Sequence, residues 1–262
     1  MIDNPSAAPD DLRVERQDAV LYLTIQREER RNAMSPAVLA GLTGAIEKAQ
    51  GDRTVRAIVI TGAGSKAFCA SADLQSGKAF ALDPSEPVGE FARLLRTAKA
   101  SNVPLIARVN GACMAGGMGL LAMCDMAVAA SHATFGLPEV KVGVFPAQVL
   151  AVLQHLIPRR RLVELCLTAE PLSARDALEL GLLNLVDDDV DAALGRLLGR
   201  LLDKSPAAIR RGLYTLKKIE TMAFEESMSF TESQIALFAQ TEDAKEGQAA
   251  FREKRAPAWT GR

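Results

Sequence analysis

The stretch VRAIVITGAGSKAFCASADL, residues 55–74, orients the reading of the whole chain. Its first part, Val55–Thr61, is a β-branched apolar run of the length and composition of a buried strand. A loop rich in glycine and alanine follows. The start of that loop, Gly62-Ala63-Gly64-Ser65-Lys66-Ala67, has the G-x-G-x-x-A spacing of a dinucleotide turn. In such a turn the glycines open directly into a helix. Here Phe68–Leu74 lacks helical apolar spacing, and the unit comes after another strand and helix, so a nicotinamide or flavin site is disfavoured.

Outward from this stretch the same alternation continues. Ala19–Ile25 reads as a strand, and Ser35 with Pro36 opens a helix to about Gln50, with serine as N-cap and proline in the first turn. Pro104–Val109 and Met126–Ala130 are further strands, and Glu90–Lys99 and Gly117–Met123 carry helical patterns. Strand and helix in alternation predict an α/β domain with mostly parallel pairing. From about Pro146 the pattern is helical almost throughout: 148–156, 159–168, 173–180, 192–204, 206–220, 225–239 and 241–254. The expected division is a flexible N-terminus over 1–12, an α/β core over 13–205 and a helical region over 206–262. Apolar helix faces in that last region predict oligomerisation.

Bulk properties narrow the function. The chain has 262 residues, 48% of them hydrophobic, and a formal net charge of −1. A substantial core is possible, and no basic stripe marks a nucleic-acid binder. The basic clusters at Arg27–Arg31 and Arg159–Arg161 read as solvated surface. Cys69, Cys113, Cys124 and Cys166 form no C-x-x-C pair, and with only His132 and His155 to assist them no metal site is expected. No signal peptide or membrane-spanning run is visible, which predicts a cytoplasmic protein with no membrane partner.

Two further segments hold chemistry. Residues 110–121, NGACMAGGMGLL, crowd small residues between a strand and an apolar helix. A tight packing turn and a helix N-terminus facing a ligand are equally consistent with that composition. Residues 134–146, TFGLPEVKVGVFP, hold one carboxylate, Glu139. Taken alone, the commoner reading of such a residue is a surface carboxylate, exposed or paired with Lys141. The other reading is a general base in a dry pocket, its pKa raised by burial.

Taken together the three segments resemble a known family. Phe68-Cys69-Ala70-Ser71-Ala72-Asp73-Leu74 resembles the F-C-A-G-A-D-L signature of the crotonase (enoyl-CoA hydratase/isomerase) superfamily. Residues 110–125 resemble its N-G-x-x-x-G-G-G-x-x-L-x-x-x-C-D block, and Phe135–Glu139 its F-G-x-P-E block. Order and spacing agree, and the resemblance spans about residues 12–255. It implies a spiral of β-β-α units with a helical C-terminal trimerisation region, and a homotrimer or dimer of trimers.

The resemblance also implies the site. The backbone N–H groups of Ala72 and Gly116 would form an oxyanion hole for a thioester oxygen, each donor contributing roughly 3–4 kcal/mol to the transition state. Ala70, Ala72, Asp73 and Leu74 would hold the adenine end of coenzyme A, with Arg30 or Arg31 near its phosphates. Gly117 and Gly119 would lie along the substrate, and Glu139 would be the catalytic carboxylate. No cofactor is implied beyond the coenzyme A of the substrate itself, an acyl-CoA thioester.

Three positions depart from the family pattern. Hydratases of the family carry a second carboxylate where this chain has Gly119. Ala115 stands in the first place of the glycine triplet, and Ser71 replaces the glycine of A-G-A-D. Relatives with a small residue at the place of Gly119 suggest room there for a bulkier acyl group. The expected activity is enoyl-CoA hydration, with a Δ3-Δ2 isomerase using Glu139 alone as the alternative. A non-catalytic acyl-CoA or nucleic-acid binding paralogue is the reading of another class.

Overall fold

The computed structural model describes residues 11–71 and 85–262. Two sheets organise it. The larger holds β1 (Leu12–Gln17), β2 (Val20–Ile25), β3 (Ala57–Gly62), β5 (Leu105–Val109), β7 (Met126–Ala130) and β10 (Leu185–Asp187), hydrogen-bonded in that order. Only the hairpin pair β1–β2 in this sheet is antiparallel. The smaller sheet holds β4 (Ala67–Cys69), β6 (Ala112–Met114), β8 (Thr134–Gly136) and β9 (Leu172–Ser173), again in that order.

The chain visits the two sheets alternately. A long strand, a short strand and a helix make one turn of a spiral: β3, β4 and α2 (Glu90–Ala100), then β5, β6 and α3 (Gly116–Ala122), then β7 and β8. Each turn lays its long strand beside the previous long strand and its short strand beside the previous short one. This is the α/β spiral of β-β-α units that the motifs imply.

The period of two in the long strands explains their continuous apolar sequence. In β3, Ile58 and Ile60 face the main core, while Ala57 and Val59 face a second core on the other side of the sheet. In β5, Leu105, Ala107 and Val109 face the main core and Ile106 the second. A sheet covered on both faces needs apolar residues at every position. Helix α1 (Pro36–Gly51) covers the main core with Val38, Leu42 and Ile46. Helix α7 (Val190–Leu202) covers the other face with Val190, Ala193, Leu194, Leu197 and Leu198, one helical stripe.

The predicted N-cap of α1 is present: the Ser35 hydroxyl accepts from the Val38 N–H at 3.2 Å. Several expectations need correction. The strands β4, β6 and β8 fall within segments read as motif loops, since three residues are too few to show a period. The segment after Pro146, read as helical almost throughout, also holds strands at its breaks. It contributes β9 and β10, and residues 148–156 yield only the four-residue α4 (Leu150–Leu153). Leu12, at the end of the expected flexible N-terminus, is buried in β1. Residues 1–10 lie outside the described part.

The remaining α-helices among the described residues are α5 (Arg159–Thr168), α6 (Ala174–Glu179), α8 (Pro206–Ile219), α9 (Phe224–Ala239) and α10 (Glu242–Glu253). Helix α8 is clamped to the core by two cations. Arg210 donates to the carbonyls of Gln50 (3.1 Å), Asp52 (2.6 Å) and Val55 (3.0 Å). Lys217 pairs with Asp125 at 2.9 Å and donates to the carbonyls of Ala98 and Ser101. Among the described residues no helix is long and apolar enough to cross a membrane, and no cluster of three or more His, Cys, Asp or Glu side chains is arranged to hold a metal.

Candidate active site

The turn after β3 does not open into a helix. Residues 63–66 lead into β4, held by two buried asparagines. Asn32 Nδ2 donates to the carbonyls of Ala63 (3.0 Å) and Ala67 (2.7 Å), and Asn110 Nδ2 donates to those of Gly64 (2.7 Å) and Ala67 (3.1 Å). These paired amides fix where β4 begins, and with it the loop at its far end. Asn32 was not singled out by sequence reading, because a lone buried asparagine has no signature spacing.

At the end of β4, Ala70 donates its N–H to the Arg31 carbonyl at 3.0 Å, and Ser71 accepts from the Met34 N–H at 2.9 Å. Ala70 is thus tied to the segment carrying the two candidate phosphate contacts, and its N–H is already committed. Ser71 has φ 147°, in the region that favours glycine. Ala72, Asp73 and Leu74, read as one hole donor and part of the coenzyme A site, lie outside the described residues.

The second loop ends at Ala115, with φ 51° and ψ −119°, a conformation glycine adopts in mirror-image turns. Helix α3 starts at Gly116. First-turn N–H groups have no acceptor within their own helix, and that of Gly116 meets no backbone acceptor among the described residues. Gly117 is there for close approach: a Cβ on it would lie 2.1 Å from the Cys69 carbonyl oxygen. The helix start therefore rests directly against the end of β4, bringing the first and second motifs together.

The third motif joins them through one hydrogen bond. Ala115 donates its N–H to the Gly136 carbonyl at 2.9 Å, extending the pairing of β6 with β8. Three residues on, within the 3-10 turn Pro138–Val142, stands Glu139. It is half-buried, its Oε2 is enclosed, and that oxygen has no hydrogen-bond partner among the described residues. Burial holds its pKa above the usual carboxylate range, with its own backbone N–H opposing the shift. Lys141 is exposed and makes no ion pair with it. The surface reading of Glu139 is therefore set aside, since a carboxyl oxygen enclosed without a partner among the described residues is costly and calls for an explanation. The buried Cys166 of α5 lies near enough for the Glu139 charge to raise its thiol pKa, after burial itself.

Gly119 is closely packed. A Cβ there would lie 2.7 Å from Phe91 Cζ and 3.3 Å from Val149 Cγ2. The space a side chain would take at this glycine is occupied by the protein's own ring. Neither Phe91 nor Val149 was singled out in the sequence, because their partner is distant along the chain.

The candidate phosphate contacts are placed less tightly. Arg30 is exposed. Arg31 lines a polar cavity of about 410 Å³ with Ser65, Lys66, Ala112, His132 and Thr134. Ala112 and Thr134 begin β6 and β8, whereas Gly116 and Glu139 follow the ends of those strands, so the cavity lies toward the other end of the short sheet. The Arg27–Arg31 cluster is not all solvated: Arg27 is largely buried, pairs with Asp11 at 3.1 Å and donates to the Ala33 carbonyl. Arg159, Arg160 and Arg161 are exposed. Of the cysteines, Cys69, Cys113 and Cys166 are buried and Cys124 is half-buried. Burial pushes the Cys69 thiol up to about 12, which keeps it neutral and unreactive.

Comparison with known proteins decides the family. The family model described as Enoyl-CoA hydratase/isomerase matches residues 15–262. The chain belongs to the enoyl-CoA hydratase/isomerase family. Among curated members, it is 33% identical to the 2,3-dehydroadipyl-CoA hydratase of Escherichia coli (strain K12), covering 96% of this chain and 99% of that protein. It is 36% identical to a probable enoyl-CoA hydratase of Mycobacterium tuberculosis (strain CDC 1551 / Oshkosh), covering 95% and 98%. Among solved structures of the family, an enoyl-CoA hydratase from Mycobacterium smegmatis superposes with a TM-score of 0.87 at 31% identity, covering 95% of this chain and 98% of that one. This enoyl-CoA hydratase/isomerase family member is therefore an enzyme of hydratase type, from a family whose enzymes act on CoA thioesters.

Proposed function

We propose that the protein hydrates 2-enoyl-CoA thioesters, with Glu139 as the single acid–base group and the N–H groups of Gly116 and Ala72 as the oxyanion hole. One observation carries this reading: Glu139 presents an enclosed, unpartnered carboxyl oxygen on a segment hydrogen-bonded to the loop that delivers Gly116.

The step balances with one carboxylate. Ionised Glu139 takes a proton from water as the water oxygen bonds to C3. The C2=C3 pair moves toward C1, and the thioester oxygen becomes an enolate oxyanion held by the two donors. Glu139 then returns the same proton to C2 as the carbonyl re-forms. One water is consumed, and a 3-hydroxyacyl-CoA leaves. A raised pKa suits this role, because the carboxyl must hold the proton between the two half-steps.

Coenzyme A enters as part of the substrate, with Ala70, Asp73 and Leu74 toward its adenine and Arg30 or Arg31 toward its phosphates. Gly117 and Gly119 belong to the same helix start as the Gly116 donor. The reading includes a cytoplasmic location, a core over 13–205, and a homotrimer or dimer of trimers built through 206–262. Incubation with a panel of 2-enoyl- and 3-enoyl-CoA esters, read by mass and chromatography, tests the reaction. Products heavier by one water from the 2-enoyl esters are expected. Unchanged mass with altered retention from the 3-enoyl esters alone means double-bond migration instead. No conversion of any ester rejects catalysis.

A further inference from the structure

A side chain at position 119 is displaced by one from elsewhere in the fold, and the direction of that displacement matters. Helical side chains lean toward the N-terminus of their own helix, so a group at 119 covers the preceding turn. That turn begins at Gly116, and residues three apart share one helix face. With Phe91 Cζ 2.7 Å and Phe91 Cε1 3.4 Å from where a Cβ would stand, the tip of the ring sits where a side chain at 119 would be, on the helix face shared with the proposed donor Gly116. Phe91 is the second residue of α2 and packs against the main core, yet it is only half-buried. Val149 completes the apolar wall at 3.3 Å.

We propose that Phe91 determines the acyl specificity of this site. Its ring narrows the space beside Gly116, admitting slender, straight, apolar acyl chains. An acyl group branched at C3 meets the ring edge. An acyl group bearing a second carboxylate close to the reacting carbons meets a phenyl ring and a valine, which offer it neither charge nor hydrogen bond. The proposal rests on the acyl-CoA reading above.

The test uses affinities for saturated, unreactive thioesters, so that it does not depend on turnover. Isothermal calorimetry is run with butyryl-CoA, 3-methylbutyryl-CoA and glutaryl-CoA on the wild-type chain, Phe91→Ala and Phe91→Leu. The wild type is expected to prefer butyryl-CoA over the branched ester by about tenfold or more, the usual scale of discrimination by one methyl-sized group. Phe91→Ala should reduce that preference to near unity, with Phe91→Leu between the two. A companion pair tests the contact itself. Gly119→Ala pushes on the ring and should weaken butyryl-CoA binding, whereas the same change made together with Phe91→Ala should cost nothing further. Butyryl-CoA binding with an unmoved preference, or independent effects of the two substitutions, overturns the role of Phe91 and leaves the acyl-CoA reading standing. Failure of the wild type to bind any of the three thioesters overturns both.

Discussion

At the scale of single residues, the candidate site holds residues in unfavourable states. Glu139 is the clearest. A carboxyl whose folded pKa is raised costs stability once the pH exceeds its unfolded value, 4.5, and the full cost is reached above the folded value. Glu139→Gln is therefore expected to melt higher than wild type at pH 7, with the difference vanishing below about pH 4.5. Its turnover should fall by roughly 100-fold or more, the usual contribution of a general acid–base group. Thermal melts across pH, paired with the thioester assay, check both halves; equal melting at pH 7 would mean the carboxyl is not penalised by burial. Ser71 and Ala115 are the second instance. Both stand where the family has glycine, and both have positive φ. Such strain costs about 1–3 kcal/mol per residue, and glycine's larger unfolded entropy returns only about 0.4–1 kcal/mol of the relief. Ser71→Gly and Ala115→Gly should each stabilise by about 1 kcal/mol, a rise of roughly 2–4 °C in Tm for a chain of this size. A lower Tm for both variants counts against the strain.

At the scale of elements, a few polar clamps position what the cores do not. Lys217 carries α8 onto the main domain through Asp125, both side chains being largely buried. Burial raises the Asp125 pKa even with Lys217 opposing the rise, so the pair is already under tension. Removing the cation leaves a buried carboxylate uncompensated, which costs about 3–5 kcal/mol. Lys217→Met is expected to lose stability on that scale at neutral pH, and less in acid, where Asp125 takes up a proton. Chemical denaturation at the two pH values measures it; a variant equally destabilised at both has lost packing and not charge pairing. The elements were unequally legible in the sequence. Helix α1 announces itself by Ser35 and Pro36, and β3 by its β-branched run. The strands of the small sheet do not, because Ala67–Cys69, Ala112–Met114 and Thr134–Gly136 are too short for a period and draw their partners from the next turn of the spiral.

At the scale of the whole molecule, apolar surface is concentrated outside the α/β core. Phe224, Ile235, Leu216 and Phe251 are exposed on α8, α9 and α10, with Phe251 86% exposed. The groove of about 650 Å³ lined by Ile235, Phe238, Phe251 and Trp259 lies in the same region. Apolar patches of this kind are normally covered by association. Light scattering is expected to give three or six times the mass of one chain, and Phe251→Glu should lower that mass. A monomer in the wild type would exclude the trimer.

The sequence by itself determined the alternation of strand and helix, the three motif blocks in their order, and the solitary carboxylate at Glu139. These are local patterns, readable because side-chain period, turn chemistry and motif spacing are properties of neighbouring residues. Only the tertiary structure decided what surrounds them. It enclosed one carboxyl oxygen of Glu139 with no hydrogen-bond partner among the described residues, set the Cys69 carbonyl against Gly117, and laid Phe91 of α2 over Gly119 of α3. Each of those outcomes depends on which distant segment packs against which, and packing between segments far apart along the chain leaves no spacing in the sequence to be read.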